Sequence, residues 1–111
     1  MMPKTANTPI TIGPFEFSAP LWCYSGEKAS WYFLSLPVDT AEDIRACTDG
    51  ARRGWGSIPV SATIGDSFWS TSLFPHKEGS TYLLPIKAEI RKKQALEVDK
   101  IAHVILSIKI A

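Results

Sequence analysis

The sequence predicts an all-β protein with two short helices, closed into one small barrel domain. Three observations indicate this fold class. Segments of strand length alternate apolar with polar residues, which is typical of strands with one buried face. Prolines and glycines end most of these segments. The predicted order strand, strand, helix, strand occurs twice, so we expect two ββαβ units that pack together and place one helix at each end of the barrel.

The first predicted unit occupies the N-terminal half of the chain. Its elements are a strand over 14–22, a strand over 30–37, a helix over 38–50 and a strand over 55–64. Phe15 and Phe17 alternate with polar neighbours in the first strand, and Pro37 ends the second. Glu42 and Asp43 suit the positive end of the helix that follows. These features predict a unit with one apolar face.

The second predicted unit repeats this order. Its elements are a strand over 67–74, a strand over 81–85, a helix over 86–95 and a strand over 101–110. The Leu-Pro pair at 36–37 recurs at 84–85, again just before a helix. Ile86 and Ile90 have the spacing of one helical face. The alternating apolar residues from Ala102 to Ile110 are expected to face the core.

A two-residue turn is predicted to join the units. Gly-Asp at 65–66 lies between two β runs, and glycine supplies the positive φ of such turns. If Ile64 lies opposite Ser67, Ala62 lies opposite Trp69 on one mainly apolar face. The other predicted pairs are Val60 with Thr71, Ile58 with Leu73, Ser61 with Ser70, Pro59 with Ser72 and Ser57 with Phe74. The outer face of this hairpin is therefore expected to be rich in hydroxyls.

Length and composition predict one domain. We expect a flexible lead-in over 1–13 and a single barrel domain over 14–111. The net charge is +1, which excludes the strongly basic class of nucleic-acid-binding proteins. The N-terminal residues lack the apolar core of a signal peptide, so a cytoplasmic location is expected. Cys23 and Cys47 are expected to be free thiols.

Several motifs in order resemble a known family. They are "FSAPLW", "WYFLSLP", "RRGWGSIPV", "TSLFP", "YLLPIKAEIR" and the closing β strand. From Phe15 onward the chain resembles the bacterial family named domain of unknown function nineteen-zero-five. The resemblance implies a double-split β-barrel capped by helices, and it implies no activity. The second half, "LLPIKAEIRKKQALEVDKIAHVILSI", also resembles the DNA-binding half of AbrB- and MazE-type proteins, in which two chains make the barrel.

The sequence predicts no catalytic site. His76 lies in a loop after a proline, and His103 is expected to face outward on the last strand. Neither has a Ser, Cys or Asp at a recognisable motif spacing, and no phosphate-cradling glycine loop is present. The two cysteines lack the spacing of a zinc site. We therefore expect a protein without metal or cofactor, with an enzyme of unrecognised type as one alternative.

A basic second helix raises the alternative of a single-chain AbrB-like DNA-binding protein. Lys87, Arg91, Lys92 and Lys93 surround one acid, Glu89. AbrB-type proteins present two symmetric copies of their basic surface. The first helix here is acidic, which removes half of that surface. A lysine-rich face on a short helix is also typical of an ordinary solvated surface.

The preferred functional interpretation is a non-catalytic binding or accessory module for a small anionic or polar ligand or a protein partner. The helix-to-strand link "ARRGWGSIPV" has two arginines and a tryptophan where the second unit has the plain link "QALEVDK". Arginine, tryptophan and hydroxyls together are suited to an anion. The predicted site consists of Arg52, Arg53, Trp55, Ser57, Ser72 and Lys87. The alternative is an ordinary sheet surface and a structural turn.

The other three tryptophans are predicted to serve packing. Trp69 is expected to point into the core by the hairpin register. Trp31 shares a strand face with Phe33, and Trp22 belongs to the first strand. Large aromatic side chains in strands most often fill the core or the barrel rim.

Overall fold

The fold is a closed six-stranded β-barrel with two short helices, as the sequence predicted. The computed structural model describes residues 11–48, 56–76, 78 and 80–109. The elements are β1 (Thr11–Ser25), β2 (Ser30–Ser35), α1 (Val38–Thr48), β3 (Ile58–Ile64), β4 (Ser67–His76), β5 (Thr81–Pro85), α2 (Ala88–Lys93) and β6 (Ile101–Lys109). The strand order around the barrel is β1-β2-β5-β4-β3-β6, and all neighbours are antiparallel.

Strand β1 begins earlier than predicted. It starts at Thr11 rather than at Pro14, because Thr11 and Ile12 pair with Lys109 and Ile108 of β6. Ordered β structure therefore extends into the segment that the sequence assigned to the lead-in. Residues 1–10 lie outside the described residues.

The predicted hairpin register is confirmed. Ile64 pairs with Ser67, Ala62 with Trp69 and Ile58 with Leu73, and the intervening pairs follow. Gly65 has a φ of 59°, the left-handed conformation that the turn requires. Alternation then directs one face of the hairpin into the barrel and leaves the hydroxyl-bearing face outside.

The core fills the barrel and extends under both helices. Val104, Leu106 and Ile108 of β6 are fully buried, as their alternation predicted. Ile44 anchors α1, and Ile90 anchors α2. Each helix thus covers part of the barrel with one apolar face, so α2 has a fixed position next to the sheet.

Helix α2 is shorter than the predicted range of 86–95. The backbone N–H of Ile86 donates to the carbonyl of Tyr32 at 2.8 Å, so this residue extends the sheet and not the helix. At the other end Gln94 is the C-cap, and Ala95 has a positive φ of 52°. With 11 residues in α1 and 6 in α2, the helices of the described residues are too short to cross a membrane.

Candidate functional site

A gap opens in the barrel wall where β5 ends. Strand β5 lies between β2 and β4, but it pairs with β2 only through 33–35 and with β4 only through 74–76. Proline at the end of β5 lacks the N–H that would continue the ladder. The chain then turns into α2. The first residues of β2 and the first half of β4 consequently border an opening.

This opening, here called the α2 cleft, is a cavity of about 280 Å³. It is lined by Ser30, Trp31, Tyr32, Trp69, Ser70, Thr71, Pro85, Ile86, Lys87, Ala88 and Arg91. Three aromatic rings, three serine or threonine hydroxyls and two cationic side chains therefore converge on one concave surface. Ligand sites typically combine a largely apolar wall with a few placed polar groups.

Arg91 is held in place by two contacts within the cleft. Its guanidinium carbon lies 3.6 Å from the centroid of the Tyr32 ring. Its Nε donates to the carbonyl oxygen of Ile86 at 3.2 Å. Among the described residues, no carboxylate forms an ion pair with Arg91. The guanidinium is thus fixed in orientation while its charge is available to an anion.

Trp31 provides an aromatic wall and corrects the sequence prediction. It was expected in the core or the barrel rim, but it is 57% exposed. It pairs with Tyr24 of β1, and the alternation that buries Leu34 directs Trp31 outward. Trp69 is buried, as predicted. An exposed indole beside a cleft can stack on a planar ligand group.

Hydroxyls and a third cation lie along one side of the cleft. Ser70 of β4 lies opposite Ser61 of β3, which lies opposite Ser107 of β6. Lys109 Nζ donates to Ser70 Oγ at 2.6 Å. The hydroxyl-bearing outer face that the register predicted therefore continues from the cleft across three strands.

Only part of the predicted site lies within the described residues. Arg52, Arg53 and Trp55 lie outside them. Ser57 and Ser72 are half-buried and are not among the residues that line the α2 cleft. Lys87 does line it, and its Nζ lies 3.8 Å from Glu89 Oε1, with both side chains exposed. The cleft therefore brings Lys87 together with Arg91 and Trp31.

A second cavity also borders α2 and shares Ala88 and Arg91 with the α2 cleft. It measures about 400 Å³ and is lined by Ala88, Arg91, Lys92, Ala95, Leu96 and Glu97. It has an acidic residue in its wall and no aromatic ring among its lining residues. The α2 cleft has three aromatic residues and no acidic residue in its lining, so we regard it as the better candidate for a ligand site.

The histidines lie away from the cleft. His103 faces outward on β6, as predicted, with Nε2 3.3 Å from Glu16 Oε1 and Nδ1 3.1 Å from Ser18 Oγ. The His76 ring lies 6.4 Å from the Trp22 ring. In the part of the chain that the structure describes, no three His, Cys, Asp or Glu residues are grouped for metal binding.

Comparison with known proteins gives a family but no activity. The family described as Domain of unknown function (DUF1905) matches residues 17–106. The chain belongs to this family. The match begins within β1 and ends within β6, so the DUF1905 region includes most of the barrel, both helices and all residues of the cleft. No curated protein matches the chain.

Sequence reasoning missed the two residues that define the cleft, Trp31 and Tyr32. Both belong to an aromatic run that resembles core packing. Arg91 was noticed only as part of a basic helix. Its contact with Tyr32 joins residues that are far apart in the chain, and no local pattern encodes it. Trp31 is exposed because it lies on the outer face of β2, opposite to the face that buries Leu34.

Proposed function

We propose that this DUF1905 protein is a non-catalytic binding module whose α2 cleft takes a small anionic or polar ligand. The observation that carries the proposal is the fixed guanidinium of Arg91, stacked on Tyr32 and without a carboxylate partner among the described residues. An arginine restrained in this way loses little side-chain entropy when it binds an anion.

The cleft suits a ligand that combines a planar group with one anionic group. Trp31 offers an exposed ring face, while Arg91 and Lys87 supply positive charge on the α2 side. Ser30, Ser70 and Thr71 offer hydroxyls to polar substituents. A volume of about 280 Å³ accommodates a ring with one substituent rather than a large cofactor.

Titration with phenyl phosphate, followed by NMR amide shifts, tests this proposal. The wild type is compared with Arg91→Gln, which removes the charge. Arg45→Gln is the matched control, because Arg45 lies on α1 over the Tyr82 ring at 5.5 Å and does not line the cleft. We expect saturable shifts around the cleft in the wild type and in Arg45→Gln. Affinity should fall about 10-fold in Arg91→Gln.

Two results would contradict the proposal. One is the absence of saturable shifts at the cleft in the wild type. The other is equal affinity in Arg91→Gln and Arg45→Gln. The wider predicted site is tested with Arg52→Ala/Arg53→Ala in the same titration. A loss of affinity in that double variant is expected if these arginines contribute to the same site.

We also propose that the barrel is a single-chain double-split barrel of two ββαβ units. The strand order supports this, because exchanging β1 with β4, β2 with β5 and β3 with β6 leaves every neighbour relation unchanged. Two reciprocal contacts agree with it. Arg45 lies over Tyr82 and Arg91 over Tyr32, so each helix reaches the other half. These contacts make Tyr32 the equivalent of Tyr82 in an alignment of the two halves. That alignment differs by two residues from the one that matches the Leu-Pro pairs at 36–37 and 84–85.

The AbrB-like DNA-binding alternative has weaker support. Basic side chains occupy the last turn of α2, whereas Glu42 and Asp43 are exposed on α1. The two helices therefore do not present two equivalent basic surfaces. A mobility-shift assay against random duplex pools at low and physiological salt tests this alternative. Sequence-selective binding that persists at physiological salt would favour it over the ligand proposal.

A further inference from the structure

Part of the β4 edge that borders the α2 cleft has no strand partner among the described residues. From Ser67 to Leu73, β4 pairs with β3 on one side, and its pairing with β5 on the other side begins only at Phe74. The described residues place no strand along that second side. A free sheet edge presents N–H and C=O groups that can pair with another chain.

Beyond the end of β5, no strand lies between β2 and β4 among the described residues. β5 separates β2 from β4, so its end leaves room between those two strands beyond Pro85. Ile86 still pairs with Tyr32, but Trp69, Ser70 and Thr71 line the cleft instead of pairing with β5. The Gln94 side chain donates to Ser67 Oγ at the start of β4. We take Phe68–Ser72 as the open part of the edge among the described residues.

The positive charge around this edge indicates which kind of ligand would bind there. Arg91 and Lys87 line one wall, and Lys109 reaches Ser70 from the other side. An acidic side chain on an added strand would meet Arg91, and an aromatic or apolar one would meet Trp31. We propose that the α2 cleft binds an extended, acidic peptide segment of a partner protein, added to the Phe68–Ser72 edge as a strand. This inference rests on the proposed function, because one side chain of the peptide would occupy the cavity of about 280 Å³ while the peptide backbone lies along the strand edge beside it.

A random nine-residue peptide library displayed on phage tests the inference with the intact protein. We expect the wild type and Arg45→Gln to enrich peptides with acidic residues, and Arg91→Gln to lose at least about 10-fold in affinity for them. Enriched peptides are then synthesised with single N-methyl groups at each position. In a strand, alternate N–H groups point to the same neighbour, so N-methylation should weaken binding at every second residue.

The outcomes separate this inference from the proposed function. Failure to enrich any peptide, or peptide binding that is indifferent to N-methylation, overturns strand addition. If phenyl phosphate still binds in an Arg91-dependent manner, the proposed function stands. If neither peptides nor phenyl phosphate bind, both fail. Protection of β4 amides from hydrogen exchange on peptide binding is the second expected signature, and protection confined to α2 would contradict strand addition.

Discussion

Arg91 owes its position to aromatic and backbone contacts rather than to an ion pair. The ring of Tyr32 contacts the face of the guanidinium, and the carbonyl of Ile86 accepts from Nε. Both contacts depend on a flat, forked cation. A lysine at this position would keep the charge but lose the stack and the fork.

Arg91→Lys should therefore weaken phenyl phosphate binding almost as much as removal of the charge. We expect the Kd to rise about 5-fold, because the ammonium is neither stacked nor able to form two parallel hydrogen bonds. Isothermal titration calorimetry measures the change. Lys92→Arg, on the exposed side of the same helix, is the control and should leave Kd unchanged.

Thr81 is a buried polar residue with a specific structural role. Its Oγ1 donates to the carbonyl oxygen of Leu36 at 2.7 Å and so links β5 to the segment before α1. Thr81→Val keeps the shape and removes this donor. We expect the free energy of unfolding to fall by about 1–2 kcal/mol in urea denaturation. Thr63→Val, on the half-buried outer face of β3, should change it by less than about 0.5 kcal/mol.

At the scale of elements, one glutamine connects α2 to the β3–β4 turn. Gln94 Nε2 donates to Asp66 Oδ1 at 2.8 Å and to Ser67 Oγ at 2.9 Å. A Cβ on Gly65 would collide with this same Gln94 side chain. The turn requires glycine for its positive φ, and a Cβ at this position would in addition displace the flexible end of the Gln94 side chain.

A double-mutant cycle separates these two effects. Gly65→Ala should destabilise the protein by more than about 1 kcal/mol, since strain at positive φ adds to the collision. In the Gln94→Ala background the collision is gone, and only the strain should remain. The measurement is the free energy of unfolding of the four proteins in urea. Strictly additive changes would show that Gln94 does not crowd the turn.

Elements with local signals were predictable from sequence. The hairpin register could be predicted because one register puts the apolar residues of both strands on the same face and a glycine marks the turn. The predicted pairs from Ile58–Leu73 to Ile64–Ser67 are all present. The bounds of α2 did not follow, because the pairing of Ile86 with Tyr32 is a long-range contact. The exposed position of Trp31 was missed because the strand face that it shares with Phe33 was assigned to packing.

At the scale of the whole molecule, the barrel closes through a buried junction between β2 and β5. Leu34 pairs with Leu84, and both side chains are fully buried. Residues from the two halves of the chain therefore share one core. A barrel with a common core should unfold as a single cooperative unit.

Leu34→Ala and Leu84→Ala test this cooperativity. Each should lower the free energy of unfolding by about 2–5 kcal/mol, because each leaves a cavity in the core. The double variant should deviate from additivity, since the two residues are paired. Circular dichroism and tryptophan fluorescence should report coincident transitions. Separate transitions for the two probes would contradict a single cooperative barrel.

The whole-molecule arrangement also explains why the site could be predicted only in part. Lys87 was assigned to a ligand site from its charge, and it does line the α2 cleft. The neighbours assigned to it, Ser57 and Ser72, do not line the cleft, although Ser72 belongs to the β4 edge that borders it. Barrel closure brings β2, β4 and α2 together, and that closure depends on pairing between distant segments. Sequence patterns describe faces of elements, not the gap left where one strand ends.

A crystal structure of the protein with bound phenyl phosphate decides whether the α2 cleft is the ligand site. We expect the phosphate to lie within hydrogen-bond distance of the Arg91 guanidinium, about 3 Å, and the phenyl ring to lie against Trp31. Lys87 should approach the same phosphate. Phosphate bound only at Lys92 and Lys93, or no phenyl phosphate in the α2 cleft at saturating concentration, would show that the cleft is not the ligand site.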